Sequence, residues 1–566
     1  MKPGIIVVTA SLFLLTSGAQ AFHGNLSGMK TRMAGKAYSE FLSGYMEYRG
    51  GNLDAALDSY RKALRYAEDE PEILYEIANV LVKKGTFDEA REMLERALEA
   101  DETHTRSRYL LAGILAATGE KKKAARLYER VLSDDPEIEE AYLHLSTLYA
   151  EEGDFPKAEE VLSSLISRNP GSYFGYYYRG RLQAARKQLE DALADFEKAL
   201  SIHPHFDGAL IDSGGVLEMM GRHAEAEDRY RRALENNPGN PFVRERLGRV
   251  LIMEKKIDQA VDQFEQLKKF SNGNLDISTK LGLLYLDQDR FDDAITEFRF
   301  VLTAQPENSQ VRYFLATAYE EKGLHAEADK EFRAIPEDSA VYREARLHLA
   351  MSLGKRKQMD EAIRVILSLR ETYPDDIDLM ILLGTQYEEA KRYEEGLAVL
   401  QEAVRREPKN AGAVFSLGVV YDKLGKLDKV IESMRKTIEL DPKHATAMNY
   451  LGYTFADRNM RLDEAEALIR KALELRPDDG YFVDSLAWVY YRKGEMEKAE
   501  REIRRALSLI PDDPVILEHV GDILVRKGKL EEAASYFEKS IAKGHEKPEE
   551  IRKKLDQVRK VDSGAK

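Results

Sequence analysis

Cysteine is absent from the 566 residues. That removes disulfide bonds, thiolate metal sites and a lipid-modified cysteine together. Tryptophan occurs once, at position 488, and proline only 17 times. Long blocks of Lys or Arg are missing, and the formal net charge is -15. A nucleic-acid surface needs a basic footprint that such a chain lacks. Beyond the first 21 residues no run is apolar enough to cross a bilayer. Catalytic signatures are missing too: there is no G-x-S-x-G, G-x-x-x-x-G-K-[ST], G-x-G-x-x-G or H-E-x-x-H. The closest histidine pair, His203 and His205 around Pro204, reads as a loop rather than a metal site. Neither a cofactor, a metal nor a catalytic residue is expected.

What is present is a helical composition, 43% hydrophobic and 33% charged, rich in Ala, Leu, Glu, Lys and Arg. The first residues differ in kind. Lys2, the apolar run Ile5 to Leu15 and Ala19-Gln20-Ala21 form a signal peptide over 1–21, with cleavage expected before Phe22. Residues 22–36, with Gly24, Gly28 and Gly35, read as a flexible leader. The expected location is bacterial, periplasmic or secreted, with peripheral association at the outer membrane compatible.

Slid against itself by 34 residues, the sequence falls into register. Small residues recur at the eighth place of each unit, among them Gly44, Ala78, Gly180, Gly214, Gly248, Gly384, Gly452 and Gly521. Twelve places later stand Ala56, Ala90, Ala192, Ala226, Ala260 and their successors. Two antiparallel helices approach closely only where a side chain is small, so each pair marks a crossing. Leu and aromatic residues between them, such as Leu145 and Tyr149, form the buried stripe. Prolines such as Pro170, Pro306, Pro408 and Pro477 end the second helix. One hairpin cannot cover its own apolar face, and stacking against the next does.

Tyr142, Leu145, Ser146, Tyr149, Ala158 and Pro170, and again Leu281, Gly282, Tyr285, Ala294, Phe298 and Pro306, carry the pattern. The chain resembles the tetratricopeptide repeat family, and fifteen units in phase make that resemblance strong. It implies an all-α fold: a right-handed superhelical solenoid of about fifteen helix–turn–helix repeats with a C-terminal capping helix. Repeats 1–9 are expected over 37–342, repeats 10–15 over 343–547, and the cap and tail over 548–566. Three irregularities stand out. Phe455 and Ala465 are ten residues apart where other units have nine, which puts an extra residue between Arg458 and Arg461. Pro336 cuts the second helix of repeat 9 short after Ile335 and suggests a weak joint. Repeat 7 ends in the turn-rich Ser271-Asn272-Gly273-Asn274.

The resemblance also implies that positions 2, 5, 9 and 12 of each first helix face a concave wall. In repeats 1–3 these include Phe41, Tyr45, Tyr48, Tyr75, Asn79 and Tyr109. In repeats 13 and 14 they include Asn449, Tyr453, Tyr481, Asp484, Trp488 and Tyr491, with Arg492 beside them. An exposed Trp among tyrosines fits a partner-binding patch; the bland alternative places Trp488 in the seam between repeats. Position 5 is never Lys, which disfavours the family's carboxylate-clamp mode. The expected function is a non-catalytic scaffold or adaptor of the cell envelope that binds protein or peptide segments of assembly components, with no nucleic acid. The alternative is an accessory subunit of a peptidoglycan- or glycan-active enzyme.

Overall fold

A computed structural model describes residues 31–270 and 273–564. The signal peptide, most of the leader and the Ser271-Asn272 part of the repeat 7 seam lie outside the described residues. Within them are thirty-one α-helices and no strand.

The helices pair as the spacing predicts. First helices, here A helices, begin at Pro71, Thr105, Glu139, Tyr173, Asp207, Pro241 and Leu275, one repeat apart. Many of them carry a side-chain cap: Ser172, Asn240, Asn308, Asp376, Asn410 and Asp513 each accept a backbone N–H from the first turn. At the A–B turn the fifteenth place of each repeat takes a left-handed backbone, which explains Gly51, Gly85, Gly153 and Gly323 there. At several crossings a large ring from the B helix leaves room only for glycine. A Cβ on Gly248 would lie 2.7 Å from the Phe264 ring, and one on Gly521 2.5 Å from Phe537.

By internal contact the chain divides into two units, Met1–Arg290 and Phe291–Lys566. The first holds hairpins 1 to 7 and the A helix Leu275–Asp287. Its core runs from Ala37 and Phe41 through Tyr60, Leu94 and Tyr128 to Leu182, and buried side chains continue through Phe196, Tyr230 and Phe264. The second opens with Phe291–Ala304, continues through hairpins 9 to 15, and ends with the helix Pro548–Gly564. That last helix buries Ile551, Leu555 and Val558 against the core of repeats 14 and 15, as a solenoid cap must.

Within each unit successive A helices touch directly, for instance those of repeats 2 and 3, 4 and 5, 11 and 12, and 13 and 14. No comparable contact joins successive B helices among the described residues. Each array therefore curves with its A helices on the inner, concave side.

Two irregularities are explained. The extra residue of repeat 13 sits in its A–B turn, between helices Ala445–Asp457 and Leu462–Leu475, where Asn459 and Arg461 both take positive φ. The second helix of repeat 9 spans only His325–Arg333. Arg346 caps its open end, donating to the carbonyls of Phe332 at 2.6 Å, Arg333 at 3.2 Å and Ile335 at 3.4 Å. Phe332, Ile335, Tyr342 and Leu349 share one core there, so the joint at Pro336 is packed as well as capped.

Candidate functional site

The wall of repeats 1 to 3 is a mesh of tyrosines and paired charges. Phe41 does not face the wall: it is 3% exposed and packs on the Tyr60 ring, 5.5 Å between centroids. Tyr45, Tyr48, Tyr75, Asn79 and Tyr109 are half-buried. Asn79 Nδ2 donates to the Tyr48 hydroxyl at 3.2 Å, and Lys83 Nζ lies 4.1 Å over the Tyr48 ring. One helix further on, the Arg106 guanidinium sits 4.2 Å over Tyr75 and pairs with the buried carboxylates of Glu72 and Glu76. His104 Nε2 completes that network, 3.2 Å from Glu72. Desolvation pushes the Tyr75 phenol up to about 12, although Arg106 pulls the other way. Desolvation likewise raises the Glu76 carboxyl above its ordinary value. Tyr109 meets Tyr128 edge-on at 5.5 Å and His144 at 6.0 Å, and burial pushes the His144 imidazole down.

The wall of repeats 13 to 15 is built around a stack. The A helix Gly480–Lys493 is capped by Asp479 and ended by the left-handed Gly494. It places Asp484 and Trp488 one turn apart on one face. The expectation of an exposed tryptophan is corrected: Trp488 is only 9% exposed. His519, from the next A helix Pro514–Arg526, stacks on its indole at 4.2 Å. Tyr491 covers the other side at 4.7 Å, and the Arg526 guanidinium lies 4.8 Å over Tyr491. Asp484 is buried as well, its carboxylate 2.8 and 3.0 Å from His519 Nδ1. Asp484 and the carboxylates of Glu518 and Asp522 raise the His519 imidazole above its ordinary value, against the opposing effect of its burial.

Of the remaining residues, Tyr453 and Asn449 are half-buried, with Tyr453 6.5 Å from the His519 ring. Tyr481 is 55% exposed, its hydroxyl 3.4 Å from Asp513, and Arg492 is half-buried. Two polar atoms inside the wall, Trp488 Nε1 and Asn449 Oδ1, have no hydrogen-bond partner among the described residues.

His519 stands at position 6, outside positions 2, 5, 9 and 12, and so was not among the expected wall residues. Nor was Lys554 of the capping helix, whose Nζ lies 2.6 Å from both Glu518 and Asp522. A third cluster went unread: Tyr173, Phe174, Tyr177 and Phe206 crowd the start of repeats 5 and 6, with ring centroids as close as 4.2 Å. The signal for it was the run Tyr176-Tyr177-Tyr178. No group of three metal-ligating side chains exists among the described residues, and no helix there is long and apolar enough to cross a membrane.

The chain is similar to several known proteins. It is 52% identical over 48 residues to the TPR repeat-containing protein PA4667 of Pseudomonas aeruginosa, a match that covers 8% of each chain. Among solved structures it resembles the APC/C hetero-tetramer Cut9–Hcn1, at 14% identity over 88% of this chain and 98% of that one, with a TM-score of 0.36. It also resembles YrrB, described as a TPR protein with an unusual peptide-binding site, at 26% identity over 34% of this chain and 97% of that one, with a TM-score of 0.28. Family descriptions of the tetratricopeptide repeat match residues 48–207, 217–340, 344–376, 381–480 and 485–548. With those matches on the hairpins just described, the chain belongs to the tetratricopeptide repeat family.

Proposed function

We propose that this protein is a non-catalytic scaffold or adaptor of the bacterial cell envelope that holds partner segments along its A-helix wall. Arrays of stacked repeats present extended concave surfaces, and partner binding is their common use. The observation that carries the reading is the wall of repeats 13 to 15. There Tyr453 and Tyr491 lie against the stacked rings of Trp488 and His519, on a wall that also carries Asn449 and the exposed Tyr481. Tyr is a good contact residue because it combines large apolar area with a hydroxyl at small conformational cost. Trp488 then serves as the floor of the patch, not its exposed tip.

The envelope setting rests on Lys2, the apolar run to Leu15 and Ala19-Gln20-Ala21. Outer-membrane protein assembly, polysaccharide export, pilus biogenesis and secretion are all compatible with such an adaptor. The test is a photoreactive residue at Tyr481 in intact cells, compared with one at Glu439 on the opposite, B-helix side. The reading expects a defined crosslinked partner from position 481 and none from position 439. Equal yields from both positions would sink it.

A further inference from the structure

The four inward positions of repeats 9 to 15 carry eight carboxylates, Glu320, Glu388, Asp422, Asp484, Glu518 and Asp522 among them, and no Lys or Arg. Repeats 1 to 7 carry four carboxylates there and three arginines, Arg106, Arg181 and Arg249. The asymmetry has a visible consequence near the C-terminus. Each inward carboxylate of repeats 14 and 15 is filled by a basic group from the following element. His519 takes Asp484, and Lys554 lies between Glu518 and Asp522, which stand one helical turn apart. Lys554 thus shows how a lysine from outside the repeat seats on this wall.

Further back along the wall the seats are less well filled. Asp422 accepts only the neutral Tyr450 hydroxyl at 2.7 Å, and Glu320 stands 4.0 Å from His348. Lys423, 3.4 Å from Glu388, is the one formal cation that these three acids meet among the contacts described. All three carboxylates are half-buried on a concave wall whose inward positions carry no Lys or Arg, with Lys423, Arg492 and Arg526 standing at its edge, and concavity focuses the resulting field on whatever enters. Further along the same wall, in repeats 13 and 14, stand the unpartnered Asn449 Oδ1, an acceptor, and Trp488 Nε1, a donor on a side chain more than nine-tenths buried. A polypeptide backbone offers both complements in each residue. Tyr491, the half-exposed outer member of the stack, is what a segment must displace to reach the indole.

We infer that the wall of repeats 11 to 14 receives an extended polypeptide segment bearing Lys or Arg side chains. Those cations go to Asp422 and Glu388, flanked by the Tyr450, Tyr453 and Tyr491 rings, and the backbone meets Asn449 and Trp488. This rests on the scaffold reading above and adds the chemistry of the partner. Acidic segments and nucleic acids are repelled by the same field.

Trp488, as the only tryptophan, reports on the site directly. The full chain is titrated at low salt with an extended Lys-Gly-Ser repeat peptide and with its Glu-Gly-Ser counterpart of equal length. The lysine peptide is expected to change Trp488 emission saturably, and the glutamate peptide to leave it unchanged. Raising the salt should weaken the first titration. Asp422→Asn and Glu388→Gln should each weaken lysine-peptide binding about two- to five-fold, as for a partly screened ion pair. Glu439→Gln, on a B helix, should leave it unchanged. Equal binding of both peptides, or binding of the lysine peptide untouched by Asp422→Asn with Glu388→Gln, overturns the inference and leaves the scaffold reading in place. So does a silent titration alongside a crosslink from Tyr481. Loss of both crosslink and titration removes the two together.

Discussion

The two units build their walls from the same positions and solve opposite problems. In the first, a guanidinium is taken into the wall: Arg106 lies over the Tyr75 ring and pairs with Glu72 and Glu76. In the second, a carboxylate is taken in: Asp484 pairs with His519, which stacks on Trp488. Both buried charges are paired, as burial demands. In both, the cation comes from the repeat after the acid: Arg106 follows Glu72 and Glu76, and His519 follows Asp484. A wall position is therefore decided by its neighbours along the stack as much as by its own repeat.

The largest effect expected is on the first unit. Arg106→Met leaves two buried carboxylates without their cation and should cost about 3–5 kcal/mol locally. Hydrogen exchange in helices Pro71–Lys84 and Thr105–Ala117 measures it, and repeats 13 to 15 should stay protected because solenoid repeats feel only their neighbours. Loss of protection throughout the chain would show that the array melts as one body.

Trp488→Ala is the matching cut in the second unit. Truncating an aromatic ring packed between His519 and Tyr491 should cost about 3 kcal/mol. A loss below about 1 kcal/mol, the range of surface changes, would return Trp488 to the exposed role that its position first suggested.

Acidification should separate the units by sign. His519 is raised above its ordinary value of 6.5, so its contribution is complete below that pH and is lost as pH rises through the folded value. Asp484, Glu518 and Asp522 face it, with Lys554 behind the last two. His144 is lowered from 6.5 by burial, so its contribution is present above 6.5 and lost as pH falls through the folded value. Between mildly alkaline and mildly acidic buffer, protection should therefore rise in repeats 14 and 15 and fall in repeats 3 and 4. His519→Gln and His144→Gln should each abolish one half of that contrast.

The smallest effect belongs to Tyr481→Ser. More than half exposed, the side chain should contribute no more than about 0.5 kcal/mol to stability. Its loss should nevertheless reduce partner crosslinking from a photoreactive residue at Tyr453. A large loss of stability would place Tyr481 with the packing residues.

The repeat register was legible because its causes are local. Gly248 is required where Phe264 crosses, Gly85 where the turn needs a positive φ, and Asn240 or Asp376 where a helix begins. The extra residue before Leu462 and the shortened helix at Pro336 could be read for the same reason. Wall positions were legible only as positions. Whether Trp488 or Phe41 meets solvent depends on side chains that arrive from elsewhere, His519 from the next repeat and Tyr60 from the B helix. Lys554 reaches Glu518 and Asp522 only because Ile551, Leu555 and Val558 dock the last helix against repeat 15. The period of a sequence fixes where a side chain points; what covers it is a contact between repeats, and only stacking in three dimensions decides that.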